Sequence, residues 1–435
     1  MDIALIAALI MFCGTVFFLI IGAPISISVG ISSFGAMLAI LPLKGAMITS
    51  AQRIFVGLDS FALLAIPFFI LAGNIMNNGG IAIRLINFSK IFSGFLPGSL
   101  AQTNVVSNML FGSISGSGVA SAAAVGGIMS PIQRKEGYDP AFSTAVNIAS
   151  APTGMLIPPS NTLIVYATVA GSVSISALFM GGYVPGILWG LGVMLVAGFM
   201  AKRRGYVLRH TMTLRECLKV AVDAIPSLSM IVVVIGGILG GVFTATEASA
   251  IAVVYSLFLS LCYRSLDIKT LPAIFLSTAK MSAIVIFMLA TSSIMSWVMA
   301  FTQIPGMIAD SLLSLTSNPI IILLIINIVL LFVGTFMDPT PAVLIFTPIF
   351  LPICTGLGMD PVQFGILLVF NLSLGTITPP VGPILFTGCK VSGITIDAVV
   401  KTLLPFFMVI VCVLMLVTYI PAISMTVPQL MGLIK

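Results

Sequence analysis

The sequence predicts an all-α polytopic membrane protein: an inverted five-plus-five repeat with two re-entrant helical hairpins and two interrupted helices. Three observations lead there. Charged residues make up 7% of the 435 and the AVILMFWYC class 59%, against roughly 25% charged in a soluble domain, so nearly the whole chain must lie in hydrocarbon. Residues 137–176 and 358–397 repeat one another at a constant offset of 221: Gly137-Tyr-Asp-Pro140 faces Gly358-Met-Asp-Pro361, Gly154 faces Gly375, Pro158-Pro159 faces Pro379-Pro380, and Val173-Ser-Ile175 faces Ile394-Thr-Ile396. Apolar segments interrupted by Gly and Pro at matching places in two halves are the sequence mark of a secondary transporter.

Apolar runs near 20 residues, enough to span a bilayer, fall at about 3–21, 24–41, 61–79, 141–171 (interrupted), 181–200, 226–243, 247–263, 281–301, 361–389 (interrupted) and 403–423. Adding 221 to the first three reaches the sixth to eighth within a few residues, so the duplication covers whole halves of five crossings, and an odd number inverts them. The first repeat is read as 1–200, the cytoplasmic connection as 201–221 and the second repeat as 222–435. The first run lacks a basic start and a clear cleavage site and reads as a retained helix. With the N-terminus outside, only Lys44, Arg53 and Lys435 of the 18 Lys and Arg residues fall on the outer side, as the positive-inside rule requires. Both termini are then external, and 42–60 is an outer loop.

Two further apolar stretches, at about 100–132 and 319–356, are cut by Phe111-Gly-Ser-Ile-Ser-Gly-Ser-Gly118 and Gly334-Thr-Phe-Met-Asp-Pro-Thr-Pro341. Their short arms suit re-entrant hairpins, and a single crossing by each would put the basic 201–219 segment outside. The connections 80–99 and 263–280 read as amphipathic braces.

Composition also excludes. A formal charge of +6 without a basic, aromatic-interleaved strip is a topology signal and predicts no nucleic-acid partner. The six cysteines contain no Cys-x-x-Cys pair, so neither a disulfide framework nor a metal site is expected. The single histidine, His210, lies in a basic loop, and no Gly-x-x-x-x-Gly-Lys phosphate loop occurs. An enzyme is not expected, nor any cofactor, and energy must come from an ion gradient.

Backbone groups freed at membrane depth must be satisfied by protein or by a water-filled site. Four interruptions supply such groups: the two hairpin tips, Ala151 to Thr162, and Leu372 to Gly382. A cation takes about 5 or 6 oxygens, which unwound carbonyls and hydroxyls provide without net charge. Two sodium sites are therefore expected. Ser115, Ser117, Gly154, Ile157 and Pro159 form one, and Gly334, Thr335, Gly375, Thr378 and Pro380 the other. Helix starts at the same breaks expose amides suited to a carboxylate, which brings in Gly116, Ser160, Asn161, Thr162, Val381 and Gly382. The competing reading is that Gly and Pro merely kink packed helices; four breaks paired by symmetry favour a binding site. Asp338 is the one acid at a midplane break; it reads as functional, as the N-cap of the second hairpin arm, or as both. Glu247, Asp59, Asp139 and Asp360 stand just ahead of spans or at their starts and read as caps or turn residues.

Ser113-Ile-Ser-Gly-Ser-Gly118, Pro158-Pro159-Ser160, Gly241-Val-Phe-Thr-Ala-Thr-Glu-Ala248, Phe336-Met-Asp-Pro-Thr-Pro341 and Thr378-Pro-Pro-Val-Gly382 together resemble, in order and spacing, the large membrane subunit of TRAP (tripartite ATP-independent periplasmic) transporters. The resemblance covers essentially the full chain. It implies an ion-transporter-superfamily fold of elevator type in a bacterial inner membrane, with periplasmic termini. It also implies sodium-driven import of a carboxylate or sugar acid such as sialic acid, a separate small four-helix membrane subunit, and a periplasmic substrate-binding protein. A rival expectation is a self-sufficient sodium-coupled dicarboxylate carrier, separable by whether uptake needs the binding protein. A non-transporting scaffold is the other, and the paired breaks argue against it.

Overall fold

The computed structural model describes residues 3–206, 213–316, 318–379 and 381–434; His210 and Pro380, singled out above, lie outside the described residues. The first half runs α1 (Ile3–Ile20), α2 (Ile25–Ile40), α3 (Leu43–Leu58), a 3-10 turn (Phe61–Leu64) into α4 (Ala65–Asn78), α5 (Ile81–Ser93), α6 (Ser99–Ser115), α7 (Gly118–Lys135), α8 (Pro140–Ser150) with its 3-10 extension Ala151–Met155, α9 (Asn161–Ala170) and α10 (Ile175–Arg203). The second runs α11 (Leu214–Leu239), α12 (Ala245–Cys262), α13 (Leu271–Phe301), α14 (Ile304–Leu315), α15 (Pro319–Phe336), α16 (Pro339–Gly356), α17 (Pro361–Gly375), α18 (Pro383–Ser392), α19 (Ile396–Tyr419) and α20 (Pro421–Leu430). All regular structure among the described residues is helical, and nine helices there are long and apolar enough to cross a membrane.

Local chemistry sets the helix starts. Asp139 and Asp360 cap α8 and α17, accepting from the Ala141 N–H (3.0 Å) and the Val362 N–H (2.7 Å), each with Pro at the first helical position. Thr213 with Glu216 and Thr244 with Glu247 close capping boxes on α11 and α12. The starts of α7 and α16, of α8 and α17, and of α10 and α19 are each 221 residues apart.

Burial inverts the pattern of a soluble protein. Every residue of α17 from Val362 to Gly375 is buried, as is α8 from Phe142 onward, so the interrupted helices occupy the centre. The outer surface is apolar: on α1, Phe12 is 71% and Ile20 81% exposed, as lipid contact allows. Buried amides tie the centre together. Asn108 Nδ2 lies 3.0 Å from Asn147 Oδ1 and 2.8 Å from Ser150 Oγ, while Asn371 Nδ2 donates to Asn327 Oδ1 at 2.7 Å.

Several connections differ from expectation. The 42–60 segment is not a loop but holds α3, which packs on α13 and, through Ser50 Oγ donating to Met37 Sδ at 3.2 Å, on α2, while Leu43, Met47 and Phe55 face outward. Lys44, Gln52 and Arg53 dilute its apolar pattern below that of a span. The expected brace at 263–280 is helical from Leu271, continuous with the next span in the 31-residue α13. At about 1.5 Å per residue this helix exceeds the roughly 30 Å of hydrocarbon. Helices α10 and α11 extend into the 201–221 connection from both sides. The segment after Phe301, unassigned by sequence, forms α14.

Candidate functional site

In the first half the hairpin α6–α7 turns on Gly116, whose φ of +62° is a left-handed conformation that favours glycine. Space dictates the same choice, because a Cβ there would stand 2.8 Å from the Pro159 carbonyl oxygen and 3.3 Å from Asn161 Nδ2. Ser117 then caps α7, accepting from the Ala120 N–H at 3.3 Å. One turn back, Gly112 touches Gly154: a Cβ on Gly154 would lie 2.5 Å from the Gly112 Cα. Residues 151–160 are buried throughout. Within this break Ser160 Oγ donates to the Met155 carbonyl (2.5 Å) and accepts from the Leu163 N–H (3.3 Å). The N–H groups of Asn161 and Thr162, first in α9, have no helical acceptor by position, and Asn161 Oδ1 is buried without a partner.

The second half builds the same joint differently. α15 ends at Phe336, Met337 is extended, and Asp338 caps α16, accepting from the Thr340 N–H at 3.2 Å. Gly334 meets Gly375, with a Cβ on Gly375 reaching 2.5 Å from the Gly334 Cα. The Thr335 carbonyl accepts from the N–H groups of Val381 (3.3 Å) and Gly382 (3.4 Å), binding tip to break directly. Those two amides, expected from sequence to face a carboxylate, are thus engaged by protein in this conformation. Thr378 Oγ1 donates to the Leu374 carbonyl at 2.9 Å, and the Thr376 carbonyl accepts from the first amides of α18, Ile384 (3.1 Å) and Leu385 (3.3 Å).

Length alone would let α15 and α16 each cross a bilayer. Their junction lies against the interior break after α17, where Gly334 meets Gly375.

One cavity of about 480 Å³ gathers both joints. Ser115, Gly116 and Ser117 from the first tip, Asn161 and Thr162 from the first break, Asp338 and Thr340 from the second tip, and Thr376 and Pro383 from the second break all line it. Gly154, Ile157, Pro159, Ser160, Gly334, Thr335, Gly375, Thr378, Val381 and Gly382 stand behind or beside this lining, in the two joints. Sequence reasoning missed the opposite wall, Asn74 and Asn77 of α4 with Ser277 and Met281 of α13. For Asn74, Asn77 and Ser277 the only signal is polarity inside apolar spans, and Met281 carries none; Asn74 Nδ2 donates to Thr278 Oγ1 at 2.9 Å, joining the two helices. Asp338 is the one charged residue lining the cavity among the described residues, and it is exposed there. Nothing in the lining forms a nucleophile–base pair, and no metal-ligating cluster of His, Cys, Asp or Glu occurs among the described residues. What the arrangement offers is oxygen ligands, helix-start amides and one carboxylate in a mostly neutral cavity.

Comparison with known proteins gives the family and the fold. Residues 12–423 match the DctM component of the tripartite ATP-independent periplasmic transporters. The chain is 54% identical to the Salmonella typhimurium protein YgiK over 97% of both chains. It is 39% identical to the C4-dicarboxylate TRAP transporter large permease protein DctM of Pseudomonas aeruginosa, covering 93% of this chain and 95% of that one. The sialic acid TRAP transporter large permease protein SiaM of Vibrio cholerae is 36% identical, over 88% and 89% of the two chains. In fold the chain is similar to the crystal structure of the Alcanivorax borkumensis YdaH transporter, with a TM-score of 0.61 at 15% identity over 86% of this chain and 88% of that one. The protein is therefore a multi-pass membrane permease and not an enzyme, and it belongs to the DctM family of TRAP transporter large membrane components.

Proposed function

We propose that this chain imports a small carboxylate across the bacterial inner membrane, driven by sodium and fed by a periplasmic binding protein, with a separate small membrane subunit beside it. The observation that carries the reading is the single cavity onto which both tips and both breaks converge. Sodium would sit in the two joints. In the first, Ser115 Oγ makes only long contacts with Ser117, at 3.4 and 3.5 Å, and the Pro159 carbonyl lies over Gly116. In the second, Thr335, Gly375 and Thr378 supply the oxygens, with Pro380 as a further expected ligand. The substrate carboxylate belongs near Asn161 and Thr162, where the helix-start amides of α9 meet the cavity; the unpartnered Asn161 Oδ1 is an acceptor and would take a hydroxyl of the substrate. The relatives' names span C4-dicarboxylates and sialic acid, and the near-neutral cavity suits such a range.

On this reading the two hairpins and broken helices travel together against α4 and α13, in an elevator-like step whose two repeats are related by inversion. The test is thermal unfolding of the purified chain in sodium against potassium at equal ionic strength. Sodium at 100 times its dissociation constant raises stability by about 2.7 kcal/mol. Ser115→Ala should remove part of that rise. An identical unfolding temperature in both salts would remove the sodium assignment.

A further inference from the structure

A second cavity, of about 700 Å³, continues along the same helices. On α13 the central cavity ends at Val285 and this one begins at Leu289; on α9 the change falls between Val165 and Ala167. Four residues of helix rise about 6 Å, so one layer of side chains separates the two spaces. That layer is apolar and packed: Ile66, Val165, Val285, Leu289 and Leu344 are each at most 9% exposed. The second cavity lies at the end of the spans that the charge pattern assigns to the outer side, beside α3.

Its polarity is opposite to that of the central cavity. Arg53 is the one charged residue in its lining among the described residues, and the ion pairs found among those residues, Arg84–Asp223 and Arg204–Asp139, lie elsewhere and do not involve it. Ser292 lines the same space at 3% exposure, and its Oγ has no hydrogen-bond partner. Ser296 and the Trp297 indole add further donors to the wall. Leaving a buried hydroxyl unmet costs roughly 1–3 kcal/mol, and a guanidinium is the side chain best shaped to grip a carboxylate in two places.

We propose that this outer cavity is an anion-binding vestibule, in which Arg53, Ser292 and Ser296 hold the carboxylate of the arriving solute before it passes the apolar layer. The assignment rests on the import reading above and adds a site distinct from the two joints, its three gripping side chains standing on α3 and α13. No bond is made or broken there; the vestibule raises the local concentration of anions at the layer.

The protein's two tryptophans provide the readout. Trp189 is fully buried with its indole N–H donated to the Ala149 carbonyl (2.8 Å), whereas Trp297 faces the vestibule. The emission lost in Trp297→Phe therefore isolates the vestibule signal. In the purified full chain, iodide should quench that signal, and Arg53→Gln should weaken iodide quenching by about threefold or more, as expected where one charge focuses counter-ions. Quenching by neutral acrylamide should stay unchanged. Succinate at fixed ionic strength should protect wild type but not Arg53→Gln, and chloride should protect less well. Equal iodide quenching in wild type and Arg53→Gln, or protection by chloride equal to that by succinate, overturns the proposal. Sodium-dependent unfolding of Arg53→Gln, measured alongside, separates this failure from failure of the import reading, because the variant leaves both joints intact.

Discussion

Both joints press two glycine backbones together, but the first adds a second close contact at its tip and the second adds hydrogen bonds. At the first tip, Gly116 lies under the Pro159 carbonyl and Gly112 under Gly154, each contact too close for any Cβ, and the surrounding break is wholly buried. At the second, the chain turns through an extended Met337 and the Asp338 cap, and the Thr335 carbonyl holds the Val381 and Gly382 amides. Three pairs of helix starts stand 221 residues apart, while the groups that finish the two joints differ. A neutral joint rich in hydroxyls and free amides therefore faces one that carries the cavity's single acid. On the proposed reading, carboxylate contact falls to the first half, while the cavity's charge sits in the second.

The sharpest way to break this comparison is at the paired glycines. Gly375→Ala drives a Cβ into the Gly334 backbone and should cost about 3 kcal/mol of stability. Gly334→Ala meets nothing closer than 3.2 Å; against that strain stands a gain of about 1 kcal/mol in helix propensity, so it should stay near wild type. In the first joint Gly112→Ala and Gly154→Ala should both be severe, since each Cβ collides with the other's backbone. Scanning fluorimetry of the four variants checks the pattern. Equal effects within the second joint would remove the distinction.

Next come the buried amides beside each joint. Asn108→Leu strips Asn104 Oδ1, Asn147 Oδ1 and Ser150 Oγ of a shared donor, all within 3.0 Å, and should destabilise by about 3 kcal/mol. Asn371→Leu deprives only Asn327, through its Oδ1 and carbonyl, and should cost about 2 kcal/mol. Denaturant or thermal unfolding ranks the two, and the reverse order would contradict the tighter first half.

The smallest stability effects lie at the caps, where the halves separate by function. Ser117→Ala should cost about 1 kcal/mol, the usual loss of an N-cap. Asp338→Asn keeps a good cap and should change stability by less than about 0.5 kcal/mol, yet lower solute uptake by about tenfold or more in reconstituted vesicles. Full uptake by Asp338→Asn would reduce that acid to its capping role.

Much of this architecture was legible in the chain itself. Asp139-Pro140, Asp360-Pro361 and Thr244 with Glu247 announce helix starts because a cap is a contact within four residues. Gly116, Pro158-Pro159 and Pro379-Pro380 mark breaks because Gly and Pro restrict their own backbone. The 435 residues also determined membrane residence, since apolar content and span length need no knowledge of neighbours. Tertiary structure alone decided the rest: that Gly154 must be glycine because Gly112 touches it, that the Val381 and Gly382 amides are already engaged by Thr335, that 42–60 is helix α3 laid on α13, and that Asn74, Asn77 and Ser277 complete the cavity. Each of these depends on how helices far apart in sequence stack, and no local periodicity encodes which faces will meet.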